Sequence, residues 1–226
     1  MLLSILIPVY NEVNTAKSLI EKVLSVKFDA DVELIVVNDA STDGTEEILN
    51  GISDGRVKII HHPENRGKGA AIKTAINNAK GDYIVIQDAD LEYNPEDINL
   101  LLKKAYEGYE AIFGSRFYNG RPEDENILHY MGNRFLTTIS NIFSGLRLTD
   151  METCYKMIKR SLFELITLEE DRFGIEPELT AKLARAKVKI CEVPIGYKSR
   201  GFSEGKKIGI KDAFRTIYCI IKYNLF

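Results

Sequence analysis

Tyr83-Ile84-Val85-Ile86-Gln87-Asp88-Ala89-Asp90 sets a short apolar run directly against two carboxylates. The run reads as a buried strand, and the acids stand where it passes into a loop. A strand tip can hold both carboxylates near one hard cation. Mg²⁺ and Mn²⁺ are the natural candidates, because they take a few carboxylate oxygens and leave other positions to water and a phosphate-bearing substrate. Acids at the start of a loop also serve as solvated groups or helix caps, so Asp88 and Asp90 take their meaning from the company they keep.

That company is an alternation of strand and helix. Strands are expected at residues 3–8, 32–37, 57–60, 83–86 and 111–114. Helices are expected at 15–26, at 69–79 and from Pro95 to about 107, with Asp43 as a cap three residues before Glu46. Short, continuously apolar strands separated by helices imply an α/β architecture, a mostly parallel, Rossmann-like sheet with helices on both faces. Ligands of such sheets bind outside the carboxyl ends of the strands. The polar clusters fall there: Tyr10-Asn11-Glu12, Asp39, Asn65-Arg66-Gly67-Lys68-Gly69, Asp88 with Asp90, and Ser115-Arg116. Five clusters on one rim point to a site.

At 226 residues the chain reads as a single domain, long enough for a sizeable core. Thirty basic and 33 acidic residues give a net charge of −3, which does not suggest a nucleic-acid binder. Residues 196–226 hold seven basic and two acidic groups, +5, so the remainder carries −8. A basic end on an acidic body suggests a docking surface for phosphate or an anionic membrane. Cys154, Cys191 and Cys219 are odd in number and widely spaced, which reads as reduced thiols of a cytosolic protein. Met1-Leu2-Leu3 leads straight into a strand, so no signal peptide is expected, and no apolar run approaches 18 residues.

Gly67-Lys68-Gly69 opens a helix whose amides could face a phosphate. It lacks the third glycine of a dinucleotide fingerprint and the pattern of a P-loop. A tight turn packed closely on a neighbour explains the glycines better, with Lys68 left open. His61-His62 cannot both ligate one ion from a regular strand, since adjacent side chains point to opposite faces. Residues 127–148 carry Leu128, Met131, Phe135, Leu136, Ile139, Ile142 and Phe143 with Arg134 among them, and read first as a helix covering its own core. On residues 210–225, Ile210, Phe214, Ile217, Ile221 and Leu225 line one face beside basic residues, which suits an interfacial helix or an oligomer contact.

Ile7-Pro8-Val9-Tyr10-Asn11-Glu12, Val37-Asn38-Asp39-Ala40-Ser41-Thr42-Asp43-Gly44-Thr45, Asn65-Arg66-Gly67-Lys68-Gly69, Asp88-Ala89-Asp90-Leu91-Glu92 and Gly114-Ser115-Arg116 occur in this order at suitable spacings. Together they resemble family 2 glycosyltransferases of GT-A fold, close to the dolichyl- or polyprenyl-phosphate sugar synthases. Asp150-Met151-Glu152-Thr153-Cys154-Tyr155-Lys156, Phe173-Gly174-Ile175-Glu176-Pro177-Glu178 and the stretch from Tyr197 to Lys207 resemble a soluble branch of that group. The resemblance implies that Pro8, Tyr10, Glu12, Asp39 and Lys68 belong to the donor pocket, with Asp39 accepting from the base. It implies that Asp88 and Asp90 hold Mg²⁺ or Mn²⁺ on the donor diphosphate, with Glu92 beside them. It further implies that Arg116, Arg200, Lys206 and Lys207 handle phosphates. Residues 1–120 would be the nucleotide-sugar half and 121–226 the acceptor half with a C-terminal amphipathic helix.

The implied reaction moves a hexose from a nucleotide sugar to a polyprenyl phosphate on the cytoplasmic membrane face. UDP-hexose is favoured over GDP-mannose. A phosphate monoester has its second pKa near about 6, so the nucleophile is already an anion and needs no strong base. The demanding step is departure of the nucleoside diphosphate, where a metal and cationic side chains help. Asp150 reads either as a group that orients the acceptor, and a base if the acceptor is a hydroxyl, or as a cap or turn residue. Transfer to a glycan or protein hydroxyl is one alternative, and a non-catalytic nucleotide-sugar-binding homologue is another. A nicotinamide oxidoreductase is disfavoured by the missing glycine fingerprint.

Overall fold

The computed structural model describes residues 1–122, 126–198 and 210–225, with side chains in the last stretch from residue 213 onward. In chain order the elements are β1 (Leu2–Val9), α1 (Ala16–Ser25), β2 (Asp31–Asn38), α2 (Thr45–Asn50), β3 (Val57–His61), α3 (Lys68–Asn78), β4 (Tyr83–Ile86), α4 (Ile98–Tyr106), β5 (Ala111–Ser115), α5 (Ile127–Ser144), β6 (Lys156–Lys159), α6 (Ile175–Arg185), β7 (Ile190–Pro194) and α7 (Ile210–Leu225). The strands form one seven-stranded sheet in the order β3-β2-β1-β4-β6-β5-β7. It is mostly parallel; β6 alone among the seven runs against its neighbours β4 and β5.

β1 is continuously apolar because helices cover it on both faces: Leu3, Ile5, Leu6 and Ile7 are fully buried. Each such side chain contributes about 1.5–3 kcal/mol by leaving water. α1 buries Ala16, Leu19, Ile20 and Val23, the i, i+3, i+4, i+7 stripe of an amphipathic helix. A second cluster, including Phe113, Met151, Ile158, Leu179, Leu183 and Ile220, joins β5 and β6 to α6 and α7. Asp43 does not occupy the capping position of α2. Gly44 does, at φ 92°, while Asp43 accepts from Thr45 N at 3.1 Å and from Val13 N at 3.1 Å. The carboxylate thereby ties the loop after β1 to the loop after β2.

α5 turns only part of its apolar side inward: Leu136 and Ile139 pack on the second cluster. Its buried residues are Asn133, Thr137 and Ser140. Leu128 is 77%, Phe135 58% and Ile142 72% exposed, with Ile127 and Met131 exposed beside them. The physical reason lies in what the inner face meets. Thr137 Oγ1 accepts from Met151 N at 3.1 Å, and Asn133 Oδ1 accepts from Arg116 Nη2 at 3.3 Å. That contact needs hydrogen-bonding groups, so Leu128, Met131, Phe135 and Ile142 lie on the other side. α7 buries Thr216, Cys219, Ile220 and Tyr223 and leaves Phe214, Tyr218, Ile221 and Leu225 outside. Among the described residues no helix is long and apolar enough to cross a membrane.

Candidate donor site

β1 lies between β2 and β4, so the chain builds outward on both sides of it and leaves a crevice beyond its carboxyl end. Among the described residues, three of the four non-glycine positions at positive φ stand on this rim: Asn11 at 52° after β1, Ala40 at 56° after β2 and Leu91 at 62° after β4. Such backbone persists only where its surroundings hold it, and it concentrates at functional sites.

On the β1–β2 side, Pro8 is half-buried and Tyr10 exposed. Glu12 N donates to Thr45 Oγ1 at 3.0 Å, and Glu12 Oε2 accepts from Thr15 Oγ1 at 2.6 Å. Asp39 is 2% exposed, and its carboxylate serves the chain's own donors. Oδ1 accepts from Arg66 N at 2.9 Å and pairs with His62 Nδ1 at 2.7 Å. Oδ2 accepts from Gly67 N at 2.7 Å and Asn65 Nδ2 at 2.9 Å. Asp39 thus ties the end of β2 to the loop that opens α3. His62 belongs to this tie and also reaches Thr74 Oγ1 at 2.9 Å.

That loop carries the glycines. A Cβ on Gly67 would strike Asp171 O and, at 2.7 Å, Arg172 Cγ; one on Gly69 would strike Glu170 O. Ala70 N donates to Asp171 O at 3.0 Å. The glycines let residues 170–172 lie directly on the start of α3. Lys68, between them, turns into the crevice and bridges Asp88 Oδ1 at 2.8 Å and Glu176 Oε1 at 2.9 Å. Burial alone would pull the Lys68 ammonium down; Asp88 and Glu176 outweigh it and hold its pKa well above the ordinary lysine value.

At the β4 tip, Asp88 and Asp90 are both half-buried. Asp90 Oδ1 accepts from Glu92 N at 3.1 Å. Glu92 is turned to Tyr197, whose hydroxyl donates to Glu92 Oε2 at 2.7 Å. Burial, then the Glu92 carboxylate, push the Tyr197 phenol up, so it stays a donor. Among the described residues no three His, Cys, Asp or Glu side chains converge as a closed metal cage. The oxygens available still suit a hard divalent cation bound partly by substrate, and Asp88 already receives one cationic group, the Lys68 ammonium.

The far wall is an ion pair. Arg116 Nε and Nη2 donate to Asp150 Oδ2 and Oδ1 at 2.6 and 2.7 Å, and Arg116 N adds a third bond at 3.1 Å. Asp150 is fully buried and Arg116 8% exposed. Burial opposes the guanidinium charge, but Asp150 outweighs it and raises the Arg116 pKa well above its usual range. The Arg116 side chain also packs on the Phe117 and Tyr197 rings, each centred 5.1 Å from Cζ. Arg200, Lys206 and Lys207 lie outside the described residues.

Two residues that sequence reasoning did not single out stand at the centre. Glu176, in the first turn of α6, is 6% exposed and completes the Asp88–Lys68–Glu176 chain. Glu152 has an Oε1 out of solvent with no hydrogen-bond partner among the described residues. Burial, then Glu176, push its carboxyl up to about 7. The available signal was an acid inside each of the two later motifs, Asp150 to Lys156 and Phe173 to Glu178.

Residues 4–167 match the model described as Glycosyl transferase family 2. The chain belongs to glycosyl transferase family 2. Glycosyltransferase AglJ of Haloferax volcanii is 30% identical over 197 residues, covering 87% of this chain and 63% of that protein. Dolichol-phosphate mannosyltransferase of Pyrococcus furiosus is 29% identical and covers 99% of this chain and 65% of its own length. Undecaprenyl-phosphate 4-deoxy-4-formamido-L-arabinose transferase of Aeromonas hydrophila is 24% identical, covering 97% of the chain and 67% of that enzyme. The family 2 chain thus spans about two thirds of the length of these relatives. Among solved structures, glucosyl-3-phosphoglycerate synthase of Mycobacterium tuberculosis with UDP superposes at TM-score 0.75 and 20% identity, covering 98% of this chain and 79% of that one. The same enzyme with Mn²⁺, UDP-glucose and phosphoglyceric acid gives 0.74 at 20% identity, covering 98% and 79%. This likeness establishes the fold, the GT-A-like sheet of family 2.

Proposed function

We propose that this family 2 chain is a metal-dependent, inverting glycosyltransferase that moves one hexose from a nucleotide sugar to a polyprenyl or dolichyl phosphate at the cytoplasmic face of a membrane. The observation that carries the reading is the two-sidedness of α5. Its inner face bonds Arg116 and the Asp150 segment on the wall of the crevice, and its outer face is apolar and carries no acid. A lipid whose phosphate enters the crevice can lay its chain against that outer face. Relatives named for dolichol phosphate and undecaprenyl phosphate support the same acceptor class. UDP-hexose as donor rests on the branch resemblance of the two later motifs.

Asp88 and Asp90 would hold the divalent cation, which when bound supplies Lewis-acid stabilisation of the leaving diphosphate. Lys68, fixed beside Asp88, adds positive charge at the same place. Arg116 is committed to Asp150, so it fixes the wall and α5, and the acceptor phosphate falls to Arg200, Lys206 and Lys207. An ionised phosphate attacks without a base, and a single displacement inverts the anomeric centre. Positioning by residues 1–120 on the donor and 121–226 on the acceptor supplies the remainder.

The test is transfer of labelled hexose from UDP-glucose, UDP-N-acetylglucosamine and GDP-mannose into organic-extractable product, with polyprenyl phosphate and Mn²⁺ or Mg²⁺. Product is expected from a UDP-sugar, lost in EDTA and lost in Asp88→Asn and Asp90→Asn variants that melt normally. Product only on hydroxyl acceptors would replace the acceptor. Full turnover in EDTA or in either variant would remove the metal role.

A further inference from the structure

We propose that Glu152 reads the transferred sugar, accepting a hydrogen bond from one of its hydroxyls at Oε1. The inference rests on the nucleotide-sugar reading of the site and adds to it the residue that recognises the sugar.

Placement comes first. β6 pairs antiparallel with β4, Val85 opposite Met157, and the segment before β6 continues alongside the tip of β4. Cys154 Sγ donates to Ile86 O at 3.6 Å, and Tyr155 OH donates to Gln87 Oε1 at 2.5 Å. Residues 152–155 therefore run beside Asp88 and Asp90, where the diphosphate end of a donor would be held.

The second observation is the unpaired atom. Glu152 Oε1 is out of solvent and accepts nothing among the described residues, which native proteins rarely tolerate without a reason. The groups that face it electrostatically are Glu176, Lys156, Arg116 and Asp150. Both cations are engaged elsewhere. Lys156 Nζ donates to Met151 O and Thr153 O, each at 2.6 Å, and Arg116 donates to Asp150 and Asn133. Glu176 in turn is held by Lys68. The neighbouring Thr153 Oγ1 is also buried without a partner. Among the described residues, then, no donor is left for Oε1, and a bound ligand is the donor we assign to it.

Its chemistry follows from the charges. Glu176 is neutralised by Lys68 and Asp150 by Arg116, and Lys156 faces Glu152, so no free positive charge is left beside Oε1 to draw a phosphate. A neutral, hydroxyl-rich group needs none and brings the donor that Oε1 lacks. Two parts of a nucleotide sugar are neutral, hydroxyl-bearing and joined to the diphosphate, the ribose and the hexose; we assign the hexose, the richer in hydroxyls, and the parent nucleotide, which carries the ribose alone, separates the two.

Calorimetry with Mn²⁺ on wild type, Glu152→Ala and Glu152→Gln, titrated with UDP, UDP-glucose, UDP-N-acetylglucosamine and GDP-mannose, tests this. In Glu152→Ala, affinity for the preferred nucleotide sugar should fall about tenfold or more, while its parent nucleoside diphosphate binds within about twofold of wild type. Glu152→Gln keeps the shape, and so carries the test if the alanine variant melts early; it should shift the preference among the sugars. Equal losses for sugar and parent nucleotide, or no loss for either, would overturn the assignment. Wild type binding none of the nucleotide sugars would overturn the donor reading, and this inference with it.

Discussion

Arg116 was legible as a polar residue at the end of an apolar run and Asp150 as one after an amphipathic stretch, and each invited a role of its own. Their fixed distance of 34 positions hides that they belong to each other. The pair is fully desolvated, so removing one partner strands a buried charge. Asp150→Ala should therefore lower unfolding free energy by about 3–5 kcal/mol, read in urea melts. Asp150→Asn, which keeps the shape, should cost less. A catalytic base would behave differently: Asp150→Ala would melt like wild type and simply fail to turn over. Asp88 and Asp90 were legible because a strand tip is a local event, written in eight consecutive residues. Asp39 was legible as a rim residue, yet its four acceptor contacts come from residues 62–67, which only the folded chain brings near. Glu152 and Glu176 escaped because an orphaned oxygen and a bridging lysine are properties of packing, invisible in spacing.

Elements show the same division. The strands and helices of the first half match their sequence pattern closely, because a doubly covered parallel strand is apolar throughout and its helices carry a plain stripe. β6 pairs antiparallel between β4 and β5, and strand direction is set by connections far along the chain. α5 misled because an apolar stripe says that a helix buries one face, not against what. Its inner face carries Asn133 and Thr137 beside Leu136 and Ile139 because it must answer Arg116 and the Met151 amide. Replacing Leu128, Phe135 and Ile142 together with Ser should accordingly change the melting free energy by less than about 0.5 kcal/mol per site, as at exposed positions. Were the stripe packed inward, each truncation would cost about 2–5 kcal/mol, and the triple variant would not fold.

The molecule as a whole carries two features that suit the membrane surface proposed for it. One is the outer face of α5; α7, which touches it, also exposes Phe214, Tyr218, Ile221 and Leu225. The other is the +5 balance of residues 196–226 against −8 elsewhere. The second is weaker than the bare count suggests, because Arg215 is paired with Glu170 and Lys222 with Glu169, both at 2.8 Å. The two features respond differently to salt. Charges near an anionic surface contribute about 1 kcal/mol each at physiological ionic strength and fade as the Debye length contracts to about 3 Å at 1 M. Apolar burial does not fade. Sedimentation with phosphatidylglycerol vesicles should therefore leave wild type substantially bound when salt is raised to 1 M. The Leu128, Phe135 and Ile142 triple Ser variant should bind only at low salt, and neither protein should hold neutral vesicles as well as anionic ones. A triple variant that matches wild type at both salts would take α5 off the membrane and leave the acceptor lipid without its proposed track.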